Sequence, residues 1–574
     1  MPIENAEIAR ILREVADLLE IEEANPFRVR AYRNAARTVE EHPESIGAIA
    51  RTSPAQLTDL PGIGEDLAGK IGEIARTGRL PLLKQLEREV PKGILELMRV
   101  PGLGPKRARQ LHEARIRNLR DLERAARQGR LRHIPGFGAR TETRILQELG
   151  AVQAAARRVL RAIAAQYAEP YLEHLSTLKG VLRAEIAGSY RRRVETVGDL
   201  DILVTCTEGT PVVERFLGYP EARNVLAKGP TRASVRLRSG LQVDLRVLPP
   251  VSYGSGLYYF TGSKAHNIAV RRLAQARGLK INEYGVFRGT RRVAGRTERE
   301  VLASVGLPWI PPELREDRGE IAAARAKDLP RLVELDDIRG DLQSHTTDSD
   351  GRDSLEDMAR AAEAMGYEYL AITDHTPAVR VAGGLDRAGF RRQMKRIDRL
   401  NGMLRTMTLL KGAEVDIRAD GSLDLDDDTL RELDVVLVSL HSRLALPEAT
   451  QTRRVCKALA HPLVDIFGHP SGRLIGRRQP VALDWEQVFT VARDQGVMLE
   501  VNGQPERLDL DDMHARAAIG HGITLTLGTD AHAIPELRFM RWAVDQARRG
   551  WAEKGDIANT RPLSRLRKLL HGAR

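Results

Sequence analysis

The sequence predicts a multidomain chain: an all-α N-terminal region, an α+β middle and a C-terminal α/β barrel. Three observations predict it. A short Pro-Gly turn recurs three times before residue 140, each copy followed by a helix-like run. A strand with two carboxylates at alternate positions precedes a hairpin that carries a third. From residue 341 onward strand-like and helix-like runs alternate, and the strands end in His, Asp or Glu. A chain of 574 residues has room for about three or four domains.

Bulk properties narrow the setting. Large cores need no disulfide staples. The two cysteines, Cys206 and Cys456, lie far apart, which points to a reducing, cytoplasmic setting and against a cysteine-based metal site. Glu4 and Glu7 stand where a signal peptide needs basic residues. No apolar run approaches the ~18 residues of a membrane helix, so no membrane partner is expected. The net charge of +12 favours a polyanionic partner, nucleic acid first. The excess is uneven: residues 101–150 hold twelve Lys/Arg against five Asp/Glu, and residues 1–50 hold six against ten.

The repeated turn reads "LPGIGEDLAGKI" from Leu60, "VPGLGPKRARQL" from Val100 and "IPGFGARTETRI" from Ile134. Its glycines, Gly62 and Gly64, Gly102 and Gly104, Gly136 and Gly138, permit positive φ and close backbone approach. Helix amides behind each turn form an anion site. A helix over residues 121–127 is expected before the third copy. This is the form of a helix-hairpin-helix element, which grips a DNA phosphate without reading bases. Lys106, Arg107 and Arg109 after the second copy favour phosphate binding over an ordinary turn.

The middle region carries "IAGSYRRRVETVGDLDILV" over residues 186–204. Asp199 and Asp201 sit two apart on a strand, so both project from one face. Carboxylates so close repel unless a cation lies between them. In "ASVRLRSGLQVDLRVL" a hairpin turns at Ser239-Gly240, and Asp244 interrupts an apolar strand. Three carboxylates on neighbouring strands can hold two Mg²⁺ ions. Upstream, Gly188-Ser189 turns toward a phosphate and Arg191 to Arg193 supply charge.

With GS-x-R-R followed by GDxD, this region resembles the nucleotidyltransferases, and in particular the DNA polymerase X family with its palm and thumb. "YYFTGSKAHNIAVRR" from Tyr258 resembles that family's nucleotide-binding segment. The resemblance implies roles. Asp199, Asp201 and Asp244 bind two Mg²⁺ (or Mn²⁺), with Asp244 helping to activate the primer 3′-hydroxyl. Gly188, Ser189 and Arg192 receive the triphosphate. Tyr259 and Phe260 lie beside the sugar, Gly262 belongs to the same nucleotide-binding segment, and Asn267 contacts the base from the minor groove. Lys264 stands where vertebrate members often have Asp, and Arg271 contacts the template. "AYRNAARTV" and Lys70 resemble the family's lyase domain, in which the matching lysine forms a Schiff base. Phe27 and Asp66 depart from the vertebrate pattern there. Lyase chemistry and a plain phosphate contact both remain open for Lys70.

The candidate strands of the C-terminal half include "YLAITDH", "LLKGAEVDI", "DVVLVSLHS", "VDIFGHP", "VMLEVNG" and "ITLTLGTDAH". In a (β/α) barrel such strand ends converge on one face. Over residues 339–574 the chain resembles the PHP (polymerase and histidinol phosphatase) domain. That resemblance implies a distorted seven-stranded barrel with up to three divalent metals (Mn²⁺, Zn²⁺ or Fe). The ligands it implies are His345, Asp350, His375, Glu414, His441, His469, Asp530 and His532, with Arg473 and Arg507 as phosphate contacts. In "DLQSHTTDSDG" from Asp341, Gln343 replaces the first His of the family's His-x-His. An amide oxygen serves Zn²⁺ less well than imidazole, so one weakened metal position is expected, favouring Mn²⁺.

The expected boundaries are 1–85 for a lyase-like helix-hairpin-helix domain and 86–150 for a fingers-like region with the other two hairpins. The palm follows over 151–250 and a thumb-like subdomain over 251–315. A linker with some helix spans 316–338, and the PHP phosphoesterase occupies 339–574. The expected function is a monomeric DNA polymerase filling short gaps in repair, acting on gapped or primer–template DNA and deoxynucleoside triphosphates. The PHP part is expected to trim 3′ ends. Three alternatives stay open on sequence alone. The barrel could be structural or DNA-positioning, or the chain could be a small-molecule phosphatase tethered to a DNA-binding arm, or a DNA scaffold without catalysis. The three hairpin repeats speak against the second.

Overall fold

A computed structural model describes residues 158–379 and 382–570 without a break, and most of residues 5–146. The N-terminal region is helical. In the first helix, Asn5–Ile21, Ile8, Ile11, Leu12, Val15 and Leu19 recur at helical spacing and are buried. One apolar core runs from Ile8 to Ile145. The three Pro-Gly turns close alike: Ile63 N–H donates to Leu60 O (3.0 Å), Leu103 to Val100 (2.9 Å) and Phe137 to Ile134 (3.0 Å). Ile63, Leu103 and Phe137 are buried, which pins each turn to the core. The helix expected over residues 121–127 is Leu119–Arg127, capped by Asn118, whose side chain accepts from the Asp121 amide.

The middle region is built on a five-stranded sheet. Its spatial order is Val181–Ile186, Asp199–Cys206, Gln242–Val247, Arg232–Leu237, Ala222–Lys228. The expected hairpin joins Arg232–Leu237 to Gln242–Val247 antiparallel, with Gly240 at φ +90° in its turn. Gln242–Val247 also pairs Asp199–Cys206 in parallel, bringing two carboxylate-bearing strands side by side. Helices Tyr253–Thr261 and Lys264–Gln275 and a three-stranded antiparallel sheet follow. Residues 316–338, expected as a linker with some helix, carry the helix Glu320–Ala326. This segment packs down: buried Glu320 meets His266 Nδ1 at 2.7 Å.

The C-terminal region has seven parallel strands, which lie side by side in chain order from Gly340–Asp341 to Leu525–Gly528. All six quoted segments form strands there. A parallel bridge between Ser344 and Ala531 joins the two ends, helped by Asp530 N–H donating to Gln343 O (3.0 Å). Closure therefore occurs at the strand C-termini, where the ligands stand.

The barrel packs against the middle region through charge and a small apolar patch. Arg161 and Arg193 both pair with Asp545 of the barrel helix Met540–Arg549. Ala165 meets Leu508, Phe539 and Trp542.

Candidate active sites

In the middle region the strand register assembles the first site. Asp201 lies directly opposite Asp244, and Asp199 opposite Gln242, so the three carboxylates share one face at the sheet end. Burial, then the charges of Asp199 and Asp244, push Asp201 up to about 7. Asp199 is raised too, by burial and then by Asp244. A cation is what relieves such a cluster. Asp244 is oriented by the Ser234 hydroxyl and by the Gln242 amide at 3.0 Å.

Gly188 sits at φ +65°, and a Cβ there would lie 2.6 Å from Asp201 Oδ2. Only glycine lets the loop come this close. Ser189 follows on the single turn Gly188–Arg191. Arg192 Nε donates to Glu316 (3.0 Å) and Nη1 to the Thr261 carbonyl (2.5 Å), beside Gly262 at φ +71°. Tyr259 and Phe260 sit edge to face, with centroids 5.2 Å apart. Asn267 Nδ2 donates to Tyr259 O (2.8 Å). Its Oδ1 is buried without a partner among the described residues. Lys264 is exposed at the helix start, and Arg271 lies one turn beyond Asn267. Gly188 against Asp201, and Arg192 against Thr261 and Gly262, thus link the carboxylates to the start of the segment from Tyr258.

The sequence reading missed several supports. Arg246 shares the face of Asp244 and lies over the Phe260 ring at 5.5 Å. The alternation Gln242, Asp244, Arg246 was the available signal. Arg191 does not face a phosphate: Glu298 grips it with two 2.8 Å bonds. Glu298 also accepts from the fully buried Arg315 at 2.6 Å, and the two guanidiniums outweigh burial to bring it down to about 2.

The second site lies at the C-terminal mouth of the barrel. Three overlapping sets have ligand atoms within 4.8 Å of one another: His345, Asp350, His375 and His532; His375, Glu414 and His441; His345, Glu414 and Asp530. His469 joins through Nε2, 2.9 Å from Glu414. All eight expected ligands therefore converge. The His345 ring stacks on His375 at 4.6 Å and on His532 at 4.3 Å, so the imidazoles cannot all be charged. Burial first, then the neighbouring His345 and His441, take His375 down to about 4. Burial opposes the charge on Glu414, yet His375, His441 and His469 hold it well below the usual carboxylate range. The same carboxylates raise His345, His441 and His532, against burial. Imidazoles packed among carboxylates in this way are a divalent-metal ligand set.

The stretch after Asp341 sorts itself. His345 and Asp350 reach the cluster. Asp341 accepts from the Thr529 hydroxyl, and Asp348 pairs with Arg396 at 2.7 Å. Gln343 stands at the site with both amide ends engaged: Nε2 donates to Glu414 (3.1 Å) and Oε1 accepts from Asn502 (3.1 Å). Asn502, Glu500 and Asp416 also support the cluster and were not foreseen.

Of the two expected phosphate contacts, Arg507 lies 3.6 Å from Asp530. Arg473 is a correction. It is nearly buried and spends its guanidinium on Glu195 (2.7 Å) and on the carbonyls of Arg507 and Leu508. It fastens the barrel to the middle region.

In the N-terminal region, Gly62 and Gly136 have φ +70° and +82°, as the hairpin reading requires. Gly102 and Gly104 fall outside the described residues, and so does the Lys106 side chain. Burial opposes the charge on the Lys70 ammonium, but its contacts to Asp66 and Tyr32 prevail and raise it. That is the opposite of what an amine nucleophile needs.

Comparison with known proteins agrees region by region. Helix-hairpin-helix families match residues 3–80 and 94–151, the DNA polymerase beta palm 158–223, the DNA polymerase beta thumb 256–316 and the PHP domain 341–503. A Bacillus subtilis protein named DNA polymerase/3′-5′ exonuclease PolX is 38% identical over 98% of this chain and 99% of its own length. The chain belongs to the PolX family. Partial relatives match subsets of this PolX architecture. DNA polymerase lambda of Arabidopsis thaliana is 29% identical over 50% of the chain and 57% of its own length. A probable phosphatase of Acetivibrio thermocellus is 32% identical over 33% of the chain and 78% of its own length.

Proposed function

We propose that this PolX family member is a DNA-directed DNA polymerase that fills short gaps in DNA repair, with a metal-dependent 3′–5′ exonuclease in its barrel. The observation that carries it is the register that sets Asp201 opposite Asp244 with Asp199 on the same face. The Bacillus subtilis relative bears both activities in its name.

The donor sets fit divalent ions. Burial, then the repulsion of neighbouring carboxylates, raises Asp199 and Asp201, and a cation held between them would relieve it. In the barrel, His345 Nδ1, His375 Nδ1 and His469 Nδ1 are buried without hydrogen bonds among the described residues. Asp199, Asp201 and Asp244 would hold Mg²⁺ or Mn²⁺. The eight barrel ligands would hold Mn²⁺, Zn²⁺ or Fe, with one position weakened where Gln343 is engaged by Glu414 and Asn502. Bound there, divalent ions supply neutralisation of the charge that develops during phosphoryl transfer.

The chain's own residues do the rest. Ser189 and Arg192 take the triphosphate of an incoming deoxynucleotide. Tyr259 and Phe260 pack beside its sugar, and Asn267 contacts the base from the minor groove. Lys264 lies beside the incoming base, and Arg271 contacts the template strand. The Pro-Gly turns hold DNA backbone phosphates, and Lys70, with its charge stabilised, serves as a phosphate contact. Arg507 meets the phosphate at the exonuclease centre. The protein acts as a monomer in the cytoplasm.

A 5′-labelled gapped duplex tests both activities in one tube. With Mg²⁺ or Mn²⁺, the parent lengthens the primer when nucleotides are present and shortens it when they are absent. Asp199→Ala loses lengthening alone, and Asp530→Ala with His532→Ala loses shortening alone. Lengthening that survives the first variant, or shortening that survives the second, refutes the corresponding assignment.

A further inference from the structure

The middle region alone does not hold Arg192 in place. Helix Met540–Arg549 belongs to the barrel, and its last residue, Arg549, reaches back to the nucleotide site. Arg549 Nη1 donates to the backbone carbonyl of Arg192 (2.8 Å) and to Glu316 (3.1 Å). The same Glu316 oxygen receives Arg192 Nε (3.0 Å). The three residues thus close a ring in which a barrel residue holds both the backbone and, through Glu316, the guanidinium of Arg192. Arg549 Nη2 is fixed in turn by Asp512 (2.6 Å). Arg549 is 8% exposed, so this contact is built into the domain junction.

An arginine side chain is costly to order, and a guanidinium already anchored at two nitrogens has little freedom left to lose when a phosphate arrives. Glu316 shared between two guanidiniums also keeps its charge compensated if Arg192 turns toward a polyanion. We infer that Arg549 and Glu316 are positioning residues for the triphosphate contact of Arg192, so that the exonuclease barrel sets nucleotide affinity at the polymerase site. This rests on the reading that Arg192 binds the triphosphate.

The full-length protein tests it by a double-mutant cycle, with the KM for a deoxynucleotide and kcat measured on a one-nucleotide gap. Arg549→Gln should raise KM by roughly five- to thirtyfold with kcat little changed. It should leave 3′–5′ trimming at the parental rate, because Arg549 touches none of the barrel ligands. Placed on an Arg192→Gln background, Arg549→Gln should raise KM no further. Glu316→Gln should behave in the same way, which covers the case in which one variant folds poorly. An unchanged KM in Arg549→Gln and Glu316→Gln overturns the inference. So does a rise of equal size on the Arg192→Gln background, because that marks a general loss of structure. If Arg192→Gln itself leaves KM unchanged, the reading of Arg192 as a triphosphate contact fails first.

Discussion

At position 201 a carboxylate faces Asp244 across a parallel strand pair and Asp199 two residues back on its own strand, whose opposite face is apolar. Its titration has a definite sign. Asp201 stands at about 7 in the fold against an ordinary 3.8. Between those values the folded chain holds a proton that the unfolded chain has released, so metal-free stability falls as pH rises through the window. Asp201→Asn removes that slope. Relative to the parent, the variant should gain on the order of 2–4 kcal/mol between pH 4 and 8 in denaturant melts without metal. Saturating Mg²⁺ should shrink the gain. A pH-independent difference would place Asp201 outside the coupled cluster. Gly188 gives a second residue-scale expectation: Gly188→Ala combines φ +65° with the 2.6 Å clash against Asp201. Primer extension should drop about a hundredfold or more, with trimming intact. Asp199 and Asp201 were legible because alternation alone puts them on one face. The engagement of Gln343 by Asn502 was not, because those residues meet only when the barrel closes. Arg473 misled because its place in "HPSGRL" says nothing of the Glu195 that claims it.

Elements were legible where a periodicity carried them. The barrel strands and the hairpin around Ser239-Gly240 are examples, since burial and turn chemistry write both into adjacent residues. The repeated Pro-Gly turns belong to the same class. Their shared apolar anchors, Ile63, Leu103 and Phe137, show why the repeat tolerates varied flanks: each turn has one buried side chain, and Gly62 and Gly136 take the left-handed backbone. DNA binding should therefore weaken with salt at a log–log slope near −0.9 per phosphate neutralised. Valine at Gly62 or Gly136 is strained at these positive φ values. Each variant should weaken binding at every sequence alike and flatten the slope by about one phosphate. Fluorescence anisotropy of a gapped duplex across a salt series measures both. An unchanged slope would mean that the turns do not grip phosphate. What periodicity could not reveal was the packing of residues 316–338. Their charge reads as a solvated linker, yet Glu316 and Glu320 are used by partners far away in sequence.

The whole molecule depends on those distant pairings. Arg161, Arg193, Arg473 and Arg549 join the middle region to the barrel through Asp545, Glu195 and Glu316, so an arginine-rich chain spends part of its charge on itself and not on DNA. Asp545 serves two guanidiniums, and Arg161 also lies over the Trp542 ring at 4.5 Å. Burial first, and then the neighbouring Arg193 charge, lower Arg161, and Asp545 opposes both, so the acid is what keeps the buried guanidinium compensated. Removing the acid leaves the buried Arg161 guanidinium unpaired beside Arg193, which keeps Glu313 at 3.0 Å, and an unpaired buried charge is far more costly than a missing pair. Asp545→Asn should destabilise the junction by on the order of 3 kcal/mol. Differential scanning calorimetry distinguishes the consequence from a local defect. In the parent, the middle region and the barrel should melt together. In the variant the middle region should melt earlier, as a separate transition, while the barrel keeps its melting temperature. Arg161→Met with Asp545→Leu, which replaces charge by apolar contact against Trp542, should restore a single transition. A single transition in Asp545→Asn, lowered as a whole or left unmoved, would show that the apolar patch of Ala165, Leu508, Phe539 and Trp542 holds the two regions together without the charges.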